Sequence, residues 1–580
     1  MTALTILALG GCYRGLDGAA SGDGSAGGDA GEGGDAGEDA GDDGVAGCDG
    51  ARGQGDLAMR RLTRDELVQS LAAIAGPDVM ASPSVVLAID AIPAESPGDL
   101  VADFQNGHAV EHVSAILATA EAIANEVIAD ASAREALLGT CAATADLACA
   151  EAFLDGAALR IVRRPLDDAR RQSLLDGFTA EGGGEAGMMW LLARLLQSPE
   201  HVFHLELPRQ ACDDDGCVDV VHDGVVELDD WTVGERLAFA LTGEGPDDEL
   251  LAAAANGELR TIDQVKPHAE RLLATDGARR QLGHVLDSWL LLQTAPDANA
   301  TIATLVGIDP AGLAEEARAE LIEYATHLVF DDETDLHELL VANVGFPRSQ
   351  RLATLYGSAV ASDEQPVDLP NGHGGLLLRI APLLSGHLHT SPILRGAYVR
   401  KRLLCDQLAP PDPAAVSAGQ AQIDGADRTT VSNRELVELI TAEEPCKSCH
   451  TMVNPLGFTL ESFDPLGRTR TEEIVWDADG NELARHPLDT AVDAPQIESG
   501  GPQSLANADE LAAALAESTK VKQCLARRLY TQAKLRPAVT EDACALEEVE
   551  AKLEDGASVK DAWIAAVVDV ELFVRKAEEP

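Results

Sequence analysis

The sequence predicts a mainly α-helical protein of several tandem helical domains, with one irregular, loop-rich segment in its C-terminal half. Three observations predict it. Ala and Leu recur along most of the chain while aromatics make up only 3 %, which favours helices packed through small aliphatic side chains over sandwiches or barrels. A length of 580 residues at 46 % hydrophobic content suffices for roughly three to five domains with cores of their own. Capping signals stand directly before apolar stretches of helical period at several points.

The first eleven residues, MTALTILALGG, are apolar and uncharged and end at Cys12. Leu9-Gly10-Gly11-Cys12 resembles the lipobox of bacterial lipoproteins, which implies cleavage before Cys12 and acylation of its thiol. The segment is too short to span a bilayer and lacks a basic n-region, which leaves open a start upstream of Met1. Residues 13–56 follow as an acidic Gly/Ala/Asp linker with no Lys or Arg between 15 and 50. Such a composition cannot bury enough apolar surface to offset chain entropy, so a disordered, self-repelling tether is expected.

Order is expected from about Leu57. Thr63-Arg64-Asp65-Glu66 reads as a capping box between the staple residues Leu62 and Leu67, and the helix it opens meets Gly76 as a terminator. A first helical domain is assigned to 57–140 and a second to 141–210, in which Pro165 breaks one helix and Asp167 or Asp168 caps the next. VVHDGVVEL suggests a hairpin before a central helical domain at 224–346, with helices at 264–274, 278–292, 313–330 and 335–342. Asp229 and Asp230 read as caps of its first helix. Residues 347–480 are richer in Pro, Gly and His, and PPDPAAVSAGQAQIDGADR reads as a long loop. Ser432-Asn433-Arg434-Glu435 offers a second capping box, opening a helix that Pro445 should stop. A last helical domain covers 503–577.

The formal net charge of -55 repels phosphate backbones and anionic head groups, which argues against a nucleic-acid partner. Membrane association is expected through the lipid anchor only. Eleven cysteines, several in local pairs, point to an oxidising compartment. Short bridges are plausible for Cys141 with Cys149 and for Cys212 with Cys217, whereas pairings among Cys48, Cys405, Cys524 and Cys544 do not follow from sequence.

Cys446-Lys447-Ser448-Cys449-His450 is a C-x-x-C-H motif. Its spacing lets two thiols on one turn reach the two vinyl groups of a haem while the adjacent imidazole meets the iron. A dithiol or disulfide pair and half of a zinc site compete with this reading, although no second C-x-x-C completes a common zinc module. In TMVNPLGFTLESFDPLGR, Pro455 and Gly457 are expected to shape a turn. Leu456, Phe458, Leu460 and Phe463 would either shield a macrocycle or pack as ordinary core. Distal ligand candidates are His387 and His389, which alternate on what reads as an extended strand, with His373 and His486 further off. Met452 is poorly placed, and a water-ligated or open sixth position stays possible.

Six ordered segments carry a family resemblance: RRLTRDELVQSLAAIAG, LRIVRRPLDDARRQSLLDGF, LDDWTVGERLAFALTGEGPDDELLAAAANGEL, GGLLLRIAPLLSGHLHTSPILRGAYVRKRLLC, CKSCHTMVNPLGFTLESFDPLGRTR and CLARRLYTQAKLRP. Together they resemble the planctomycete and myxobacterial envelope proteins built from tandem domains of unknown function, of the DUF1592 and DUF1588 type with DUF1587-, DUF1595- and DUF1585-like segments. The resemblance implies an exported, mostly helical protein with covalent haem c on Cys446, Cys449 and His450, and no established catalytic mechanism. Ser391-Pro392 and Arg395-Gly396 match a recurring T-S-P-x-x-R-G segment without assigned chemistry.

Three functions follow as expectations. The first is an envelope lipoprotein, outer-membrane or periplasmic, that transfers electrons or senses redox state through one haem and needs an unidentified redox partner. The second is a haem enzyme, peroxidase-like or acting in polysaccharide-linked oxidation. The third is a disulfide-braced structural or binding protein without haem. No nucleophile elbow, H-E-x-x-H or phosphate loop fixes a catalytic site.

Overall fold

The computed structural model describes residues 60–95, 110–213, 216–222, 224–362, 365–370, 372–539 and 542–576. The lipobox with Cys12, the acidic linker and Cys48 lie outside the described residues. The protein is mainly α, with a few short strands. Among the described residues no helix is long and apolar enough to cross a membrane.

Local signals act where the sequence places them. Thr63 and Glu66 form the full capping box of the helix Arg64–Ala75, which ends at Gly76 with φ 80°. Leu62 and Leu67 are both buried. Asp167 caps the helix Asp168–Ala180, Asp229 caps Asp230–Thr242, and Ser432 with Glu435 boxes Asn433–Ile440. Asp230 does not cap; it accepts from the backbone of Leu259 at 3.1 Å and from Arg260, fixing the turn between two helices. The central helices run Ile262–Leu273, Asp276–Leu290, Leu313–Phe330 and Leu336–Val341.

Three further sequence expectations are corrected. Residues 413–425 are no loop but the helix Pro413–Gly425, started by Asp412 accepting from two backbone amides and by Pro413 at its first position. None of its residues is buried, so it lacks the apolar periodicity by which a helix is recognised. Pro455 and Gly457 form no turn; they lie inside the helix Cys446–Thr459. His387 and His389 stand on bends rather than on a strand.

Two cores divide the apolar side chains. One gathers Leu62 to Val202 and takes in Phe239 and Leu535. The other runs continuously from Leu228 through Phe463 to Leu572, so the central, loop-rich and C-terminal stretches share it. The ends of that second body meet in a sheet. Val225–Glu227 pairs with Val221–His222 in the expected hairpin, and on its other side with the C-terminal strand Val574–Lys576.

The two cores join through buried charge. His204 lies between two carboxylates, with Nε2 3.5 Å from Glu66 and Nδ1 3.2 Å from Glu235. Arg60 pairs with Glu66, and Arg163 with Glu235. Arg163 also donates to the carbonyls of Glu200, His201 and Phe203. Burial alone would raise the Glu66 carboxyl, yet Arg60 and His204 hold it well below the usual carboxylate range.

Candidate functional site

The helix Cys446–Thr459 has two unlike halves. Val453, Asn454 and Leu456 through Thr459 are buried, whereas the first turn projects into solvent, with Cys446 half-buried and Cys449 exposed. Both thiols are free. By contrast Cys141–Cys149, Cys212–Cys217 and Cys405–Cys524 are disulfides, and Cys544 is disulfide-bonded as well. The expected bridges at 141/149 and 212/217 are therefore present, and Cys446 does not bridge Cys449.

The buried half is clamped by the segment that the sequence singled out without assigning it chemistry. Ser391 caps the helix Pro392–Tyr398, which lies against the motif helix with backbones nearly touching. A Cβ on Gly396 would sit 2.0 Å from the Val453 carbonyl oxygen, and one on Gly457 1.8 Å from that of Pro392. Only glycine fits at either place. Arg395, buried, donates to the carbonyls of Leu383, Leu460, Phe463 and Asp464. Burial pushes its guanidinium down to about 10. Arg400 donates to the carbonyls of Met452 and Pro495. This packing holds a helix that contains Pro455, a residue that removes one helix hydrogen bond.

His450 is half-buried, and its state follows from a chain of hydrogen bonds. Thr441 Oγ1 donates to the Val437 carbonyl at 2.7 Å, so toward Asn454 it can only accept. The Asn454 amide nitrogen therefore faces Thr441, at 2.9 Å, and its Oδ1 faces His450 Nδ1, at 2.8 Å. In the neutral ring Nδ1 must then carry the proton, which leaves the lone pair on Nε2. A metal-binding imidazole needs this tautomer, fixed by an acceptor behind it.

An open cleft of about 300 Å³ lies beside the imidazole. Its walls are Lys447, Asn454 and Phe458 of the motif helix, Arg434 and Glu438 of the helix Asn433–Ile440 with Thr441 at its C-terminal cap, and Val492 with Asp493. Arg434 stacks on the Phe458 ring at 4.7 Å. Leu456, Phe458, Leu460 and Phe463 are all buried in the main core, Phe458 at its edge where it meets the cleft. Among the described residues no three His, Cys, Asp or Glu side chains converge on a point that could hold a metal ion. A zinc site needs such convergence, whereas a thioether-bound haem asks the protein for two separate thiols and one imidazole. The donor set at 446–450 fits the haem.

The other histidines stand elsewhere. His387 is exposed. His389 lines a different cleft, where burial and the charges of Arg428 and Arg470 hold its pKa down to about 4. His373 is buried against Tyr356 and Phe463 with Nδ1 2.9 Å from the Leu378 carbonyl, and His486 lies 3.0 Å from that of Arg428. None of the four lines the cleft at His450. Sequence reasoning missed Asn454, Thr441 and Arg400. Asn454 carried a signal in its spacing, four residues after His450 on a helix.

Three families match in order, each described as a protein of unknown function: DUF1592 over residues 228–358, DUF1588 over 373–473 and DUF1585 over 501–573. The spans lie within the second body and together cover just over half of the chain. The DUF1588 span contains the motif helix and its glycine clamp. The DUF1587- and DUF1595-like readings of the first two helical stretches lie outside these spans. No curated protein and no solved structure matches. The chain belongs to the family of tandem domains of unknown function and carries DUF1592, DUF1588 and DUF1585 in that order.

Proposed function

We propose that this protein is an exported envelope lipoprotein with one covalent haem c, serving electron transfer or redox sensing for a partner protein. The observation that carries the reading is the pairing of two free thiols with an imidazole whose Nδ1 is committed to Asn454. Cys446 and Cys449 would hold the macrocycle through thioether bonds, and His450 Nε2 would ligate the iron. The group would supply one-electron redox chemistry, which no side chain here supplies. The chain's own residues hold and tune it. Thr441 and Asn454 fix the imidazole, the Gly396–Gly457 contact and Arg395 keep the motif helix in place, and Phe458 offers an apolar wall. Lipid attachment at Cys12 and the acidic linker would tether this body to a membrane.

The test is reduced-minus-oxidised and pyridine haemochrome spectra of the full chain, expressed with an export signal in a host with c-type maturation. A c-type spectrum present in wild type and absent from Cys446→Ala/Cys449→Ala supports the reading. A properly exported chain without haem absorption overturns it and leaves a disulfide-braced envelope protein. Peroxidase turnover, or binding of small ligands to the reduced iron, would favour the enzyme alternative over a six-coordinate carrier.

A further inference from the structure

In a chain with 98 acidic and 43 basic residues, a cation without a carboxylate partner is unexpected, and most arginines here are paired. Arg402 and Arg528 are exceptions: neither forms an ion pair with any described carboxylate, while the neighbouring Arg400 pairs with Asp406. Arg527, beside them, is exposed and forms no ion pair with a described carboxylate either.

Covalent structure brings these residues together. Cys405 and Cys524 form a disulfide with Cα atoms 5.5 Å apart. Cys524 Sγ lies 3.3 Å from the Arg402 carbonyl oxygen, which also accepts from the Trp289 indole. Arg528 follows Cys524 by four residues on the helix Thr519–Lys534 and so shares its face. The disulfide thus staples the basic run VRKRL to the basic run ARR. Both residues are half-buried. Burial, then Arg402 and Arg527, push the Arg528 guanidinium down to about 10, and burial also lowers that of Arg402.

Two arginines brought to one place by a disulfide, partly desolvated and without a carboxylate partner among the described residues, destabilise a fold unless something anionic completes them. Each presents a planar fork of donors suited to an oxyanion. We propose that Arg402 and Arg528, with Arg527 at the rim, form a binding site for an oxyanion: a sulfate, phosphate or carboxylate group. The site does not depend on the haem reading.

The experiment is thermal unfolding of the full chain at constant ionic strength, titrating sodium sulfate, phosphate or acetate against sodium chloride. Sulfate and phosphate stabilise most proteins by exclusion from the surface, so Arg402→Gln/Arg528→Gln supplies the background. In wild type at least one of the three anions should raise Tm along a saturating curve at low millimolar concentration, as binding linkage requires. Which anion does so identifies the group. The double variant should need at least about tenfold more of it and, in chloride alone, should unfold at the same temperature as wild type or higher. Should the double variant not fold, each single variant carries the same comparison, and equilibrium dialysis with radiolabelled phosphate or sulfate reads wild-type binding directly. Equal responses in wild type and variants, or no saturating response to any of the three, would overturn the site. So would a variant less stable than wild type in chloride, since the arginines would then serve packing.

Discussion

His204 and His450 both stand against groups that fix their rings, but they are finished differently. His204 has a carboxylate at each ring nitrogen and sits in the joint between the two cores. His450 has one nitrogen committed to Asn454 and the other left over, at the half-exposed start of a helix whose far end is locked in place. A histidine with both nitrogens taken is a fastening. One with a single fixed nitrogen on a rigid mount has the form of a ligand held in readiness. The comparison separates residues that stabilise this fold from residues that the fold serves.

The largest effect expected from that contrast is on stability. Glu235→Ala leaves the Arg163 guanidinium, 1 % exposed, without its carboxylate and should cost about 3–5 kcal/mol. His450→Ala in the haem-free chain should change stability by no more than about 0.5 kcal/mol. Urea unfolding of both variants measures the difference. Equal losses would make His450 a structural residue and break the contrast.

Acid should act on the joint. Burial, and then Arg163, hold the His201 pKa down to about 4, against an unfolded value of about 6.5. The unfolded chain binds the extra proton, so this contribution is complete above about pH 6.5 and falls away toward pH 4. It amounts to about 3 kcal/mol. The Glu66 carboxyl, held low despite burial, adds a loss below about pH 4.3. Unfolding midpoints from pH 7.5 to 4 should therefore fall steeply in wild type and more gently in His201→Gln. Parallel curves would contradict this assignment.

The smallest effect concerns the shell behind His450. Thr441→Val removes the acceptor that orients Asn454 and should cost about 1 kcal/mol. In the haem-loaded protein it should shift the reduction potential without loss of covalent haem, while Thr441→Ser should restore the wild-type value. An unchanged potential in Thr441→Val would remove Thr441 from the site.

How far the sequence discloses this molecule depends on the range of the forces involved. Caps, boxes and helix stops at Thr63, Asp167, Asp229 and Ser432 are legible because donor and acceptor lie within a few residues of each other. The C-x-x-C-H turn is legible for the same reason. The helix Pro413–Gly425 is not, because it buries nothing and so leaves no apolar stripe. The continuation of the motif helix through Pro455 is hidden because what secures it, Gly396 against Val453 and Arg395 on four carbonyls, comes from some sixty residues away in sequence. The single core shared by residues 228–572 is likewise a long-range fact. Within the candidate site, Cys446, Cys449 and His450 could be read directly. Asn454 and Thr441 needed the geometry that tells which nitrogen of His450 is free.

The central claim is covalent, so the most direct test is the intact mass of the purified full chain after expression with c-type maturation. The account predicts a mass increased by one haem in wild type and in His450→Ala, and no increase in Cys446→Ser/Cys449→Ser, with all three equally folded by circular dichroism. A folded wild-type chain at its bare polypeptide mass, after lipid attachment is accounted for, would contradict it.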